Sequence, residues 1–140
     1  MTARPHLTHV ATRSRDVAKS VEFYARFVGL HIVHDRTDEA GVRVVWLSEE
    51  PHDPHFVLVI IGIPHEEYGE RSLAEHFGYD LPSREAVDEI AARGAAEGLL
   101  LQGPVYAGPI VGYFCMLRDP DGNIVEFSHG QPINPRQLGS

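Results

Sequence analysis

The chain has 140 residues and a formal net charge of -8, from 20 acidic and 12 basic side chains. Its length allows one domain with a substantial core, and 43% hydrophobic with 23% charged residues is typical of an ordinary globular protein. The acidic balance argues against nucleic acid and anionic membrane surfaces as partners, because the chain has no basic stripe that would displace counterions.

The first half of the chain predicts a strand, a helix and three further strands. The first strand covers about residues 7–12, and the helix begins at about Asp16, a side chain that favours the N-cap. Apolar residues then recur at helical spacing, and Gly29 is placed to end the helix. The β-branched segments that follow predict strands at 30–34, 42–48 and 55–63.

The second half of the chain repeats this order. A strand at about 73–79 precedes a helix from Ser83 to about Ala96, and Gly98 is placed to end that helix. The remaining segments predict strands at 99–102, 113–117 and 123–128. We therefore expect an α+β fold, built from tandem βαβββ modules whose curved mixed sheets form an open cavity.

These elements predict a single domain over residues 1–140. Its parts are module one at about 5–63, a linker at about 64–72, module two at about 73–130 and a tail at 131–140.

Two further features leave alternatives open. The segment 103–112 contains three glycines and two prolines, and it is either a flap that carries Tyr106 over the cavity or an irregular connection. Four aromatic residues are candidates either for a pocket lining or for the core: Trp46, Phe56, Tyr79 and Phe114.

A histidine recurs at equivalent places in the two modules. His9 and His76 are 67 residues apart, and each lies on the first strand of its module, seven residues before an N-cap. Glu126 lies on the last predicted strand. Two histidines and one carboxylate are a donor set that holds a divalent transition metal and leaves coordination positions open for a substrate. The place in module one that matches Glu126 falls at Val59, so the pattern predicts one pocket with three protein ligands.

The cysteine content and the hydropathy bear on localisation. The single cysteine, Cys115, excludes an internal disulfide and fits a reducing cytoplasm. The longest apolar run, 56–61, is too short for a signal peptide or a membrane span. We therefore predict a cytoplasmic protein with no membrane association.

Motifs at both ends of the chain carry a family resemblance, which spans about residues 6–129. The opening segments are His9-Val10, Asp16-Val17, Ser20-Val21-Glu22-Phe23-Tyr24 and Val28-Gly29-Leu30. The closing segments are Asp119-Pro120-Asp121-Gly122-Asn123 and Glu126-Phe127. Together they resemble the vicinal oxygen chelate superfamily, which includes glyoxalase I, extradiol dioxygenases, fosfomycin resistance transferases, methylmalonyl-CoA epimerase and bleomycin resistance proteins.

The resemblance implies that the family's metal ligands fall on His9, His76 and Glu126. Glyoxalase I has a fourth ligand where this chain has Val59 or an apolar neighbour, which counts against glyoxalase I activity. Extradiol dioxygenases and fosfomycin transferases carry a tyrosine ten residues before the glutamate, where this chain has Met116.

The resemblance implies a metal-dependent enzyme that acts on a small aromatic or vicinal-oxygen substrate, and we favour an extradiol-dioxygenase-like oxidoreductase. The metal is Fe(II), Mn(II), Zn(II) or Ni(II). The alternatives are a metal-dependent lyase, isomerase or thiol transferase, and a metal-free protein that binds a drug. A homodimer is expected. The predicted substrate-binding residues are Tyr106, Tyr113, Met116 and Val59.

Overall fold

The computed structural model describes residues 4–64 and 71–134. Within these residues the chain forms eight strands and two helices. The strands are β1 His9–Arg13, β2 His31–Thr37, β3 Arg43–Ser48, β4 Val57–Ile61, β5 His76–Asp80, β6 Leu100–Tyr106, β7 Tyr113–Arg118 and β8 Ile124–His129. The helices are α1 Val17–Phe23, which continues as a π-helical turn over Tyr24–Val28, and α2 Arg84–Ala96.

The chain divides into two compact units, Met1–Tyr68 and Gly69–Ser140. Each unit contains one four-stranded mixed sheet, with strand order β1-β4-β3-β2 in unit 1 and β5-β8-β7-β6 in unit 2. In both units the first and fourth strands pair in parallel and the other pairs are antiparallel. This order confirms the predicted α+β fold with two βαβββ modules.

In unit 1, helix α1 covers one face of the sheet. Asp16 caps it, since its carboxylate accepts a hydrogen bond from the Lys19 backbone N–H at 3.2 Å, and Gly29 ends the helical segment with φ 82°. Alternate strand residues form the core beneath the helix: Val45, Leu47, Leu58 and Ile60, together with Phe23, Tyr24 and Phe27 of the helical segment.

In unit 2, helix α2 covers the corresponding face. Ser83 caps it by accepting a hydrogen bond from the Ala86 backbone N–H at 3.1 Å. Gly94 brings the helix so close to the sheet that an added Cβ would lie 2.8 Å from Leu117 Cδ2. Below the helix, the strands contribute fully buried side chains: Cys115, Leu117, Val125 and Phe127.

The observed boundaries differ from the predicted ones mainly at β6. We predicted a strand at 99–102 and a long loop at 103–112, but the strand continues to Tyr106 and the connection covers only 107–112. The predicted linker lies largely outside the described residues, since only 64, 71 and 72 of it are described, and of the tail only 131–134 are described. No helix among the described residues is long and apolar enough to cross a membrane.

Candidate metal site

Strands β5 and β8 place His76 and Glu126 on the same face of the unit 2 sheet. In the parallel pairing His76 lies opposite Ile124, and Gly78 lies opposite Glu126. Side chains alternate between the faces of a strand, so His76 and Glu126 both point away from helix α2. The parallel pairing of β5 with β8 thus brings together His76 and Glu126, which are 50 residues apart in the sequence.

The two side chains approach each other closely. His76 Nε2 lies 4.0 Å from Glu126 Oε2, and His76 Nδ1 lies 2.6 Å from the Leu73 carbonyl oxygen. A carbonyl only accepts, so Nδ1 carries a proton, and Nε2 is the ring nitrogen that lies near the carboxylate. A histidine held in this way by a backbone carbonyl is typical of a metal ligand.

Glu126 is a buried carboxylate beside His76. The residue is 5% exposed, and burial raises the pKa of its carboxyl, while the adjacent His76 acts to lower that pKa. Among residues 4–64 and 71–134, no donor makes a hydrogen bond to this carboxylate. The carboxylate oxygens are not fully shielded from solvent, but a nearby cation would stabilise the charge of this largely buried group.

These observations fit a divalent metal. Transition metals bind imidazole nitrogen and carboxylate oxygen at about 2.0–2.2 Å, so donor atoms 4.0 Å apart are able to share one ion. Within the described part of each unit, no third His, Cys, Asp or Glu side chain joins the pair to complete a metal site.

His9 occupies the equivalent position in unit 1. His9 lies opposite Val57 in the parallel β1–β4 pair, as His76 lies opposite Ile124 in the β5–β8 pair. His9 and His76 are 67 residues apart, and so are Val57 and Ile124. His9 Nδ1 contacts the Thr8 hydroxyl at 2.9 Å, and the residue is exposed, on the sheet face opposite helix α1. The same offset matches Glu126 with Val59, so the sequence correctly identified the apolar equivalent of the carboxylate.

An apolar wall stands beside Glu126. Met116 lies directly opposite Glu126 in the β7–β8 pairing, on the same face. It packs with Phe114 and Ile124, and Leu101 and Val111 pack against this cluster. Val111 belongs to the 107–112 connection, so this connection folds against the face that carries Glu126.

Tyr106 and Tyr113 lie on the opposite face, toward helix α2. The Arg84 guanidinium stacks on both rings, 4.9 Å from the Tyr106 centroid and 5.0 Å from the Tyr113 centroid. The Tyr113 hydroxyl donates a hydrogen bond to Asp88, which raises the pKa of Tyr113. The structure does not bring these tyrosines to the face of His76 and Glu126, so their predicted role in substrate binding stays a prediction that this geometry does not support.

The turn before β8 depends on a buried carboxylate. Asp119 accepts hydrogen bonds from the Asp121 backbone N–H at 2.8 Å and from the Asn123 backbone N–H at 2.9 Å. Its second oxygen accepts from the Asn123 side-chain amide at 2.9 Å. This turn sets where β8 begins and thereby which face Glu126 occupies.

In unit 1, Trp46, which the sequence left open as a pocket or core residue, belongs to a partly exposed group with His34 and Arg36. Trp46 lies opposite Val59 in the β3–β4 pairing, on the His9 face, and is 37% exposed. Its ring lies 4.7 Å from the His34 ring, and the Arg36 guanidinium lies 5.8 Å from the Trp46 centroid. Apolar residues occupy successive positions of β3, so the sequence does not alternate between apolar and polar residues. The pattern therefore does not indicate which face of the strand is exposed.

Comparison with known proteins gives a consistent family. Residues 6–127 match the sequence pattern of the Glyoxalase/Bleomycin resistance protein/Dioxygenase superfamily. The uncharacterized protein PA2024 of Pseudomonas aeruginosa is 42% identical over 137 residues, covering 94% of this chain and 93% of that protein.

Two solved structures share the fold at low identity. The fosfomycin resistance protein FosX of Listeria monocytogenes aligns with TM-score 0.73 at 16% identity, covering 94% of this chain and 97% of that one. FosX was also solved in complex with Mn(II) and a sulfate ion. The antibiotic binding protein TnmS3 of Streptomyces sp. CB03234 aligns with TM-score 0.65 at 24% identity, covering 92% of this chain and 98% of that one.

Proposed function

Because this chain belongs to the Glyoxalase/Bleomycin resistance protein/Dioxygenase superfamily, we propose that it is a divalent-metal-dependent enzyme whose metal is held by His9, His76 and Glu126. The observation that carries the proposal is the His76–Glu126 pair, 4.0 Å apart, with a buried carboxylate that has no hydrogen-bond donor among the described residues. We propose that His9 is the third ligand, from the same polypeptide or from a second copy.

The chain's own residues have distinct tasks in this proposal. The Leu73 carbonyl holds the His76 ring in the tautomer whose Nε2 is free to bind a cation. Glu126 supplies negative charge from a buried position, which strengthens its attraction to a cation. A divalent metal held by these residues would supply Lewis acidity toward a substrate with two neighbouring oxygens.

The apolar wall supports an aromatic or hydrophobic substrate. Met116, Phe114 and Ile124 form a buried apolar cluster beside Glu126, so a polar substrate next to the carboxylate would find no hydrogen-bond partner among them. This favours ring-cleaving, extradiol-dioxygenase-like oxidation with Fe(II) as the metal. Because position 116 is a methionine and not a tyrosine, the proposed chemistry does not use a tyrosine hydroxyl at this position.

Two alternatives have a specific observation in their favour. A lyase, isomerase or thiol transferase acting on an anionic substrate would use positive charge, and Arg36 and His34 lie on the His9 face. A metal-free drug-binding protein would use exposed aromatic surface, which Trp46 provides, and TnmS3 is described as an antibiotic binding protein.

Metal content tests the proposal directly. We expect one equivalent of divalent transition metal per chain by elemental analysis, and its loss in His9→Ala, His76→Ala and Glu126→Gln. The matched control is His129→Ala, because His129 lies on the same sheet but its Nδ1 contacts the Leu81 carbonyl on the helix side. Equal metal content in wild type and in all three ligand variants would refute the assignment.

The reaction class needs a separate experiment. Protein loaded with Fe(II) under anaerobic conditions is mixed with a panel of catechols and then exposed to oxygen. Yellow ring-cleavage products, formed by wild type and not by Glu126→Gln, would support the dioxygenase. A metal-loaded protein that is inactive on catechols but adds thiols to an epoxide would instead support the transferase.

We further propose a homodimer, as the family resemblance implies. Sedimentation equilibrium distinguishes a monomer from a dimer. A mixture of His9→Ala and Glu126→Gln proteins tests whether the ligands come from different copies, because subunit exchange would then restore part of the metal content.

A further inference from the structure

The only tryptophan of the chain lies partly uncovered beside two basic side chains. Trp46 is 37% exposed, although large aromatic side chains on central strands are usually covered. The His34 ring lies 4.7 Å from the Trp46 ring, and the Arg36 guanidinium lies 5.8 Å from its centroid. All three side chains share one face, because His34 pairs with Trp46 and Arg36 pairs with Val44 across β2 and β3.

The positive charge of Arg36 is not neutralised by a neighbouring acid. The adjacent Asp35 points to the other face, where both of its carboxylate oxygens bind Arg43 at 2.8 and 3.1 Å. Within the described ranges, no acidic side chain forms an ion pair with Arg36. In a chain with a net charge of -8, this leaves a guanidinium beside a partly exposed indole available to an anion.

This group lies on the same face as His9. Ala11 in β1 lies opposite Val59 in β4, and Val59 lies opposite Trp46 in β3, so these three side chains are on one face of the sheet. His9 is two residues before Ala11 and therefore points to the same face. Neighbouring strands lie about 4.8 Å apart, so Trp46 is roughly 10 Å across the sheet from β1. Between them lies Val59, a buried side chain that offers no hydrogen bond.

We propose that Trp46, Arg36 and His34 form a recognition site for an aromatic carboxylate. The indole ring offers a stacking surface for a planar ring, and the guanidinium offers paired N–H donors that match a carboxylate. The inference rests on the proposed function in one respect: Arg36 is on β2, three strands from β1, so a substrate that also reached a metal on His9 would have its carboxylate roughly 14 Å or more from the chelated end. The site would then select aromatic acids over neutral aromatics as substrates.

Intrinsic fluorescence tests this site, because Trp46 is the only tryptophan. The full-length protein is titrated with para-nitrobenzoate, with the neutral analogue para-nitrobenzamide, and with cyclohexanecarboxylate, which has the charge but no planar ring. Calorimetry measures the same affinities independently. We expect para-nitrobenzoate to quench the fluorescence and to bind about tenfold more tightly than para-nitrobenzamide, since a charged hydrogen bond contributes at least this factor.

Variants assign the selectivity to the named residues. Arg36→Gln should reduce the affinity for para-nitrobenzoate about tenfold and leave that for para-nitrobenzamide unchanged. Trp46→Leu, followed by calorimetry, should weaken binding of both aromatic compounds. Arg26→Gln is the matched control, since Arg26 is an exposed arginine on the helical segment, near Glu22 at 3.5 Å.

The outcomes separate this inference from the proposed metal site. Selective binding of para-nitrobenzoate that persists in Glu126→Gln and in metal-free protein supports the recognition site, even if no metal is ever found. Equal binding of the acid and the amide, or an unchanged affinity in Arg36→Gln, overturns it and leaves the metal proposal intact. Equally tight binding of cyclohexanecarboxylate would also overturn it, because the ring stacking would then contribute nothing.

Discussion

Gly78 and Glu126 face each other across the β5–β8 pair, and a Cβ added to Gly78 would lie 2.9 Å from Glu126 Oε2. Real Cβ atoms do not approach an oxygen this closely, so either the carboxylate or the strand would have to shift. The absence of a side chain at position 78 therefore leaves room for the carboxylate beside His76.

We expect Gly78→Ala to lower the affinity for the divalent metal about tenfold, as is usual when the support of a ligand is disturbed. Isothermal titration of metal into chelator-treated protein measures it. Gly94→Ala is the control, because its Cβ would meet Leu117 Cδ2 at 2.8 Å on the helix side. That variant should lose about 1 kcal/mol of stability, since overpacking outweighs the gain in helix propensity, and should bind metal normally. Equal metal affinity in Gly78→Ala and wild type would contradict the expectation.

Cys115 should be unreactive in the folded protein. Burial, followed by the charges of Asp88 and Glu126, raises the pKa of its thiol from 9.0 to about 12. The reactive thiolate is therefore almost absent at pH 8. A disulfide reagent should label no thiol in native protein and one per chain in urea. Because the pKa is raised on folding, this group's contribution to stability is complete below pH 9 and is lost as the pH rises toward 12.

Tyr113 should ionise at higher pH than an ordinary tyrosine. Its hydrogen bond to Asp88 favours the neutral phenol and raises the pKa, so the associated stabilisation is present below about pH 10 and is lost above it. Asp88→Asn should lower this pKa, whereas Glu85→Gln, which removes the same charge from the same helix, should have little effect. The phenolate absorbance of each protein, minus that of its Tyr113→Phe counterpart, isolates the titration. A larger shift in Glu85→Gln than in Asp88→Asn would rule out the hydrogen bond as the cause.

The N-cap of α2 should contribute measurably to stability. Ser83 Oγ accepts the Ala86 backbone N–H at 3.1 Å, and Ser83→Ala should cost about 1 kcal/mol in urea unfolding. Ser83→Asp keeps an acceptor at the helix start and should retain the wild-type stability. Metal content should be the same in both variants, because the cap lies on the helix and not on the face of His76. Loss of metal in Ser83→Ala, without unfolding, would show that the helix end influences the site.

The architecture could be predicted because local signals agreed with the global fold. Asp16, Ser83 and Gly29 marked helix ends through hydrogen bonding and backbone conformation, which act over a few residues. The strand pairing of the two units keeps the 67-residue offset between His9 and His76. The duplication therefore also predicted correctly that Val59 occupies, in unit 1, the position that Glu126 occupies in unit 2. Tyr113 and Met116 lie on opposite faces of β7, as the alternation of side chains along a strand requires.

Other features could not be predicted, for physical reasons. Gly103 and Pro104 suggested a loop, but β6 is an edge strand, where a residue without an N–H loses no ladder partner, and its pairing with β7 is irregular there. The exposure of Trp46 had no sequence signal, because apolar residues fill both faces of β3. The contact between His76 Nδ1 and the Leu73 carbonyl depends on the path of the chain before β5, which periodicity does not describe. The cytoplasmic location stays a prediction.

The position of β8 has a consequence for how the protein matures. This strand, which carries Glu126, is the last of its unit in sequence and yet lies between β5 and β7 in the sheet. During synthesis, β5 and its histidine leave the ribosome long before their central neighbour exists, and β5 has no partner in that sheet until β8 is inserted. The His76–Glu126 pair, and with it the proposed metal site, therefore cannot form until synthesis of the second half of the chain is nearly complete.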